Sequence, residues 1–280
     1  MADGVSLAFD CRCPKGNPTV LFAHGFGQTR GAWTGSAEAL SAQGCRTLSF
    51  DLRGHGESGR SPGGDYHMQQ FIDDLARVAA LQPQPPVLVG ASMGGLLGLA
   101  VVGECQPAPF SALVLVDITP RWERAGVERI LGFMRAYPEG FADFDEAARA
   151  VAGYLPHRTG RKSRDQLTPL LRRGDDGRLY WHWDPAMLGP IAEEGEQYQA
   201  RLEAAARAVR IPTLLLSGER SDVVSRQTID EFMTWVPHAR HVEVAGATHM
   251  LAGDANDAFT REILHFLESI FDTTGAGVAG

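Results

Sequence analysis

The sequence predicts an α/β protein from three observations: six short apolar runs bounded by turn residues, helical spacing between them, and a long central stretch where the alternation stops. The runs are Thr19–Ala23, Arg46–Phe50, Pro86–Gly90, Ala112–Val116, Pro212–Leu216 and Arg240–Val244. Most are too continuous for half-exposed strands. They suit a mostly parallel central sheet flanked by helices on both faces.

Taken in order, Cys11 and Cys13 alternate along an N-terminal strand as small apolar side chains. A helix is predicted over Tyr66–Leu81, where Met68, Phe71, Ile72, Leu75, Val78 and Ala79 recur at threes and fours. Another follows the third run, and a last one covers Phe259–Phe271, with Ile263, Phe266, Leu267 and Ile270 on one stripe. Between Pro120 and Arg210 the chain is rich in Arg, Ala and Glu, holds Trp122, Trp181 and Trp183, and has no convincing buried strand. It reads as a mostly helical insertion with a polar loop at His157–Arg164. The tail Thr273–Gly280 is expected to fray.

Composition supports this division. The chain has 280 residues, 44% of them hydrophobic, enough to bury a core without disulfide or metal staples. The formal charge is −8, yet residues 121–208 hold 14 basic and 14 acidic side chains, so the 12 basic and 20 acidic residues elsewhere carry all of it. The expected units are a core of residues 1–120 and 209–280 and an electroneutral insertion of residues 121–208.

Several function classes are disfavoured. An acidic balance argues against a general nucleic-acid surface. Cys11, Cys13, Cys45 and Cys105 lack metal-ligand spacing and suit a reducing compartment. The start of the chain has neither a basic region nor a long apolar one, and no window approaches eighteen uninterrupted apolar residues. The expectation is a cytoplasmic protein, a monomer or homo-oligomer, whose partner is a small-molecule substrate rather than a membrane.

The segment that carries chemistry is Gly90-Ala91-Ser92-Met93-Gly94, between an apolar strand and a helical run. G-x-S-x-G alone is a weak signal, equally a glycine turn with an incidental serine. In the strand-to-helix context it predicts a sharp turn that projects the Ser92 hydroxyl at a helix N-terminus. Serine needs a base, and the base an orienting acid. Downstream, Asp222 follows the strand run ending at Leu216, and His249 follows the last strand in a Gly-containing loop. Asp117, which also ends an apolar strand, is the rival for the acid. His24-Gly25-Phe26-Gly27, a glycine turn after the first run, could supply an oxyanion-stabilising N–H from Phe26 beside that of Met93.

Together with Phe50-Asp-Leu-Arg-Gly-His-Gly-Glu-Ser58, these motifs resemble the α/β-hydrolase superfamily, in its branch of small esterases, lactonases, cofactor-free haloperoxidases and carbon–carbon bond hydrolases. The resemblance implies Ser92 as nucleophile, His249 as base, Asp222 as acid, the amides of Phe26 and Met93 as oxyanion donors, no cofactor or metal, and a helical cap formed by the insertion. It also implies that His55 belongs to a structural turn. Epoxide hydrolases and dehalogenases of this fold use an aspartate nucleophile, which Ser92 disfavours. Carbon–carbon hydrolases usually carry an aromatic after the catalytic histidine, where this chain has Met250.

The expected function is therefore hydrolysis of a small carboxylic ester, thioester or lactone through an acyl-enzyme on Ser92. The alternatives are a carbon–carbon bond hydrolase of ring-cleavage products and a triad-bearing ligand receptor. His24, Arg121, Trp122, Trp181 and Trp183 are candidate substrate contacts, with Arg121 suited to a carboxylate and the tryptophans to an apolar wall.

Overall fold

The computed structural model describes residues 1, 3–154, 162–248 and 256–271. Strands β1 (Phe9–Arg12), β2 (Thr19–Ala23), β3 (Arg46–Phe50), β4 (Val87–Ala91), β5 (Ala112–Val116), β8 (Thr213–Gly218) and β9 (Arg240–Val244) form one seven-stranded sheet in the order β1-β3-β2-β4-β5-β8-β9. Only β1 runs antiparallel in it. All six predicted runs are strands, shifted by two residues at most. Residues of β2, β4 and β5 alternate between two buried clusters, Leu21, Leu88 and Leu113 on one face and Val20, Val87 and Ala112 on the other. Burial on both faces is why these runs are continuously apolar.

Helices α1 (Thr34–Ala42) and α9 (Asn256–Phe271) cover one face, where Leu40, Phe259, Ile263 and Phe266 pack. Helices α2 (Met68–Ala80) and α3 (Met93–Glu104) cover the other, with Phe71, Leu75, Leu97 and Val101. Helix α8 (Arg226–Trp235) also packs there, through Ile229 and Phe232.

Between β5 and β8 the chain forms α4 (Arg124–Arg135), α5 (Phe144–Tyr154), the single turn α6 (Arg164–Leu167), strands β6 (Leu171–Arg173) and β7 (Leu179–Trp181), and the long α7 (Leu188–Ala208). The insertion is mostly helical, with one correction: β6 and β7 form a separate antiparallel pair. Three residues per strand are too few to carry a readable alternation. Residues 157–161 of the predicted polar loop and the tail 273–280 lie outside the described residues.

Among the described residues no helix is long and apolar enough to cross a membrane.

Candidate active site

The register of the sheet sets the site. Ala91 on β4 pairs with Val116 on β5, and the next residues, Ser92 and Asp117, leave the carboxyl ends of adjacent strands. Both adopt left-handed backbone, with φ of 46° and 50°. That conformation is costly for a side chain bearing a Cβ and persists only where the surroundings impose it. At Ser92 they do so through its N–H, which donates to the Val116 carbonyl at 3.0 Å, and its C=O, which accepts from the Gly95 and Leu96 amides of α3.

The turn is too tight for side chains at its flanks. A Cβ on Gly90 would lie 2.6 Å from the Gly94 carbonyl, and one on Gly94 would lie 2.4 Å from the Ala23 carbonyl oxygen. These close approaches bring the β2 loop against the turn: a Cβ on Gly25 would sit 3.2 Å from that of Ser92. Ser92 is therefore presented at the start of α3, with the Gly25–Gly27 backbone beside it.

Polar side chains hold that loop, the imidazoles among them buried. Gln28 accepts the Gly25 N–H at 2.9 Å, and His55 Nε2 accepts the Gly27 N–H at 3.1 Å while its Nδ1–H donates to the Arg53 carbonyl. From the insertion, His182 accepts the Gly56 N–H on Nδ1 and donates from Nε2 to the Gly27 carbonyl. The Gly27 peptide is thus gripped on both sides by imidazoles that must be neutral to accept. Burial supplies that condition, pushing His55 down to about 4 and His182 down to about 3. Among the described residues, no acceptor takes the N–H of Phe26 or of Met93. These two amides are available to a ligand.

Cavities open on the serine from two directions. One, of about 80 Å³, is lined by Ser92, Phe26, Phe133, Tyr154 and Trp183, and it shares residues with a larger one of about 480 Å³ that adds Trp181 and Leu170. On the other side a cavity of about 140 Å³ is lined by Ser92, Met93, Leu96, Ile118, Trp122 and Ile191. Trp181 and Trp183 stack at 4.8 Å, and Phe133 stacks on Tyr154 at 4.1 Å. The walls are apolar, as expected of a small-molecule site.

The remaining candidates fall elsewhere. His24 is fully buried; its Nε2 accepts the Leu52 N–H and its Nδ1–H donates to the Gly25 carbonyl, so it braces the β2 loop instead of facing a cavity. Burial, with His55 nearby, holds it well below the usual histidine range. Arg121 pairs with Glu203 and Glu231 and lies over the Trp235 ring, and it lines none of the three cavities described. Asp222 is paired with Arg129 of α4 at 2.6 Å. His249 lies outside the described residues. Sequence reasoning missed His182, whose one signal is its place between Trp181 and Trp183, because its partners are backbone atoms more than a hundred residues away.

A strained serine on a strand-to-helix turn, two unengaged amides beside it and apolar cavities around it define a hydrolase-type site on an open α/β sheet. The chain belongs to the α/β-hydrolase fold family, whose model matches residues 18–255. It is 29% identical over 248 residues to the 3-hydroxybutyrate-oligomer hydrolase of Cupriavidus necator, covering 83% of each chain. It is 28% identical to the sn-1-specific diacylglycerol lipase ABHD11 of Mus musculus, over 89% of this chain and 81% of that one. Among solved structures, the thioesterase domain from the curacin biosynthetic pathway superposes with a TM-score of 0.75 at 25% identity, covering 93% of this chain and 95% of that one. E-2-(acetamidomethylene)succinate hydrolase superposes with a TM-score of 0.81 at 24% identity, covering 94% and 96%, a likeness of fold.

Proposed function

We propose that this chain is a serine hydrolase that cleaves a small carboxylic ester, thioester or lactone through an acyl-enzyme on Ser92. The observation that carries the reading is the Ser92 turn itself: a left-handed serine at the N-terminus of α3, next to the unengaged Phe26 and Met93 amides. In this reading Ser92 Oγ bonds to the substrate carbonyl carbon as its proton passes to His249. The carbonyl π pair moves onto oxygen, where the two amides receive the charge. Collapse breaks the bond to the leaving oxygen or sulfur, which takes the proton from the imidazolium. Water then attacks the acyl carbonyl as it gives one proton to His249, and collapse releases the carboxylic acid as the imidazolium passes that proton to Ser92 Oγ. A carboxylate, Asp222 or Asp117, holds the imidazole tautomer.

The insertion acts as the cap. Its Phe133, Trp181 and Trp183 face one side of the serine and Trp122 the other, which suits a substrate with apolar groups on both the acyl and leaving sides. The hydrolase, lipase and thioesterase relatives support the same reaction class. The test is turnover of p-nitrophenyl esters graded by acyl length, with a vinylogous diketone as the carbon–carbon substrate. Ester turnover that falls at least 10⁴-fold in Ser92→Ala is expected, the order seen when a triad nucleophile is removed. Unchanged turnover in that variant, or cleavage of the diketone alone, contradicts the ester reading.

A further inference from the structure

We infer that the carboxylate that positions the base is Asp117, not Asp222. This rests on the serine-hydrolase reading of Ser92 and His249 and goes on to assign the acid. The two candidates differ in burial, backbone conformation and partners. Asp117 is 1% exposed, whereas the Asp222 side chain is 37% exposed. Asp117 directly follows β5, the strand paired with that of the nucleophile, in left-handed backbone, and its N–H is tied to the Leu216 carbonyl at 2.7 Å. Its Oδ1 accepts the Gly218 N–H at 2.8 Å and its Oδ2 accepts the Ser221 hydroxyl at 2.7 Å. Both oxygens are oriented by donors from the end of β8.

Those donors lie where the β9 loop arrives. A Cβ on Gly218 would be 2.6 Å from the Ala247 carbonyl oxygen and 3.2 Å from that of Thr248, and the Arg220 N–H donates to the Ala247 carbonyl at 2.9 Å. The residue whose N–H holds Asp117 is therefore in contact with the chain one residue before His249. Asp222 is turned to the insertion instead. Its carboxylate takes two guanidinium nitrogens of Arg129, and a Cβ on Gly126 of α4 would lie 2.1 Å from its carbonyl oxygen. A carboxylate committed to a cap arginine fastens the cap. One buried at the strand ends, with both oxygens aimed by the β8 turn, is placed to hold an imidazole in one tautomer and stabilise its charged form.

The full-length protein tests this with Asp117→Asn, Asp222→Asn, Asp117→Asn combined with Ser221→Asp, and Ser92→Ala, each assayed on p-nitrophenyl butyrate and by thermal unfolding. Asp117→Asn is expected to lose about 10⁴-fold in kcat, the scale of an acid-to-amide change in a triad, with KM within a few-fold. Its residual kcat/KM should lose activity at a lower pH than wild type, because removing the negative charge makes the imidazole less basic. Ser221→Asp, which puts a carboxylate at the position whose hydroxyl now bonds Asp117 at 2.7 Å, should restore at least tenfold. Asp222→Asn should keep kcat within about tenfold and show its effect in KM. The assignment is overturned by a 10⁴-fold kcat loss in Asp222→Asn, a result that stands even if Asp117→Asn does not fold. It is also overturned by an Asp117→Asn loss with neither the pH displacement nor the rescue. Retained turnover in Ser92→Ala would instead remove the hydrolase reading beneath it.

Discussion

The Ser92 turn and the inserted segment line the same cavities, yet different forces hold them. Around the turn, backbone atoms approach within contact distance and polar side chains fill their hydrogen bonds: Gly94 lies against Ala23, and the buried His24 and His55, with Gln28, brace the loop that carries Phe26. The insertion packs its long α7 against α3, where a Cβ on Gly103 would lie 2.4 Å from Ala205, and adds polar contacts to the core, several of them half-exposed. These include Arg129 to Asp222, Tyr66 to Asp184, His67 and the Met68 amide to Glu194, and the buried His182 between Gly27 and Gly56. Chemistry needs reacting groups fixed within a fraction of an ångström, which a packed sheet end provides.

The largest effect should come from disturbing the rigid side. Gly94→Ala places a Cβ 2.4 Å from one backbone oxygen and 2.8 Å from another, and neither can move without separating β2 from α3. We expect a stability loss of about 3 kcal/mol by denaturant unfolding. A fall of about 100-fold in kcat/KM should accompany it, as the Phe26 amide leaves its place beside Ser92. Near-normal activity would mean that the loop is not held by this contact.

Acid should act next, through the imidazoles that join the two regions. His55 and His182 have folded values of about 4 and about 3, against an ordinary value near 6.5, so below that value the unfolded chain binds protons that the folded one refuses. Their contribution to stability is complete above pH 6.5 and is lost as pH falls toward 4 and then 3. Urea midpoints measured from pH 7 to pH 4 should decline, and His182→Gln should decline less steeply. Equal slopes would show that His182 titrates as an exposed group.

The smallest effect belongs to the insertion. Arg129 and Asp222 are both substantially exposed, so Arg129→Ala should cost only about 0.5 kcal/mol. Its signature should be a raised KM for long-chain esters with little change for acetate, since the same arginine also bonds the Tyr154 carbonyl and stacks over its ring, a wall of the larger cavity. An equal change across chain lengths would detach the ion pair from substrate choice.

The same contrast governs what the sequence revealed. Continuous apolar runs marked β2, β4, β5 and β8 because burial on both faces leaves little room for a polar side chain, β3 and β9 were marked by their bounding turns despite polar residues, and G-x-S-x-G marked the turn because only glycine fits its two flanks. Helix α1 left a weak imprint, since Ala37, Leu40 and a polar Ser36 are what it buries. The hairpin of β6 and β7 and the role of His182 left none, because three-residue strands lack a period and the His182 bonds end on backbone. Choosing between Asp117 and Asp222 was equally beyond the pattern: both follow strands, and only the path of the β8 turn places one inside and the other against the insertion.

Whether Ser92 is the nucleophile is read by fluorophosphonate labelling and mass spectrometry of the modified peptide. One phosphonyl group per chain on Ser92 is expected, with ester turnover abolished in step. A label on another residue, or an unlabelled Ser92 in a protein whose turnover is nonetheless blocked, would contradict that role.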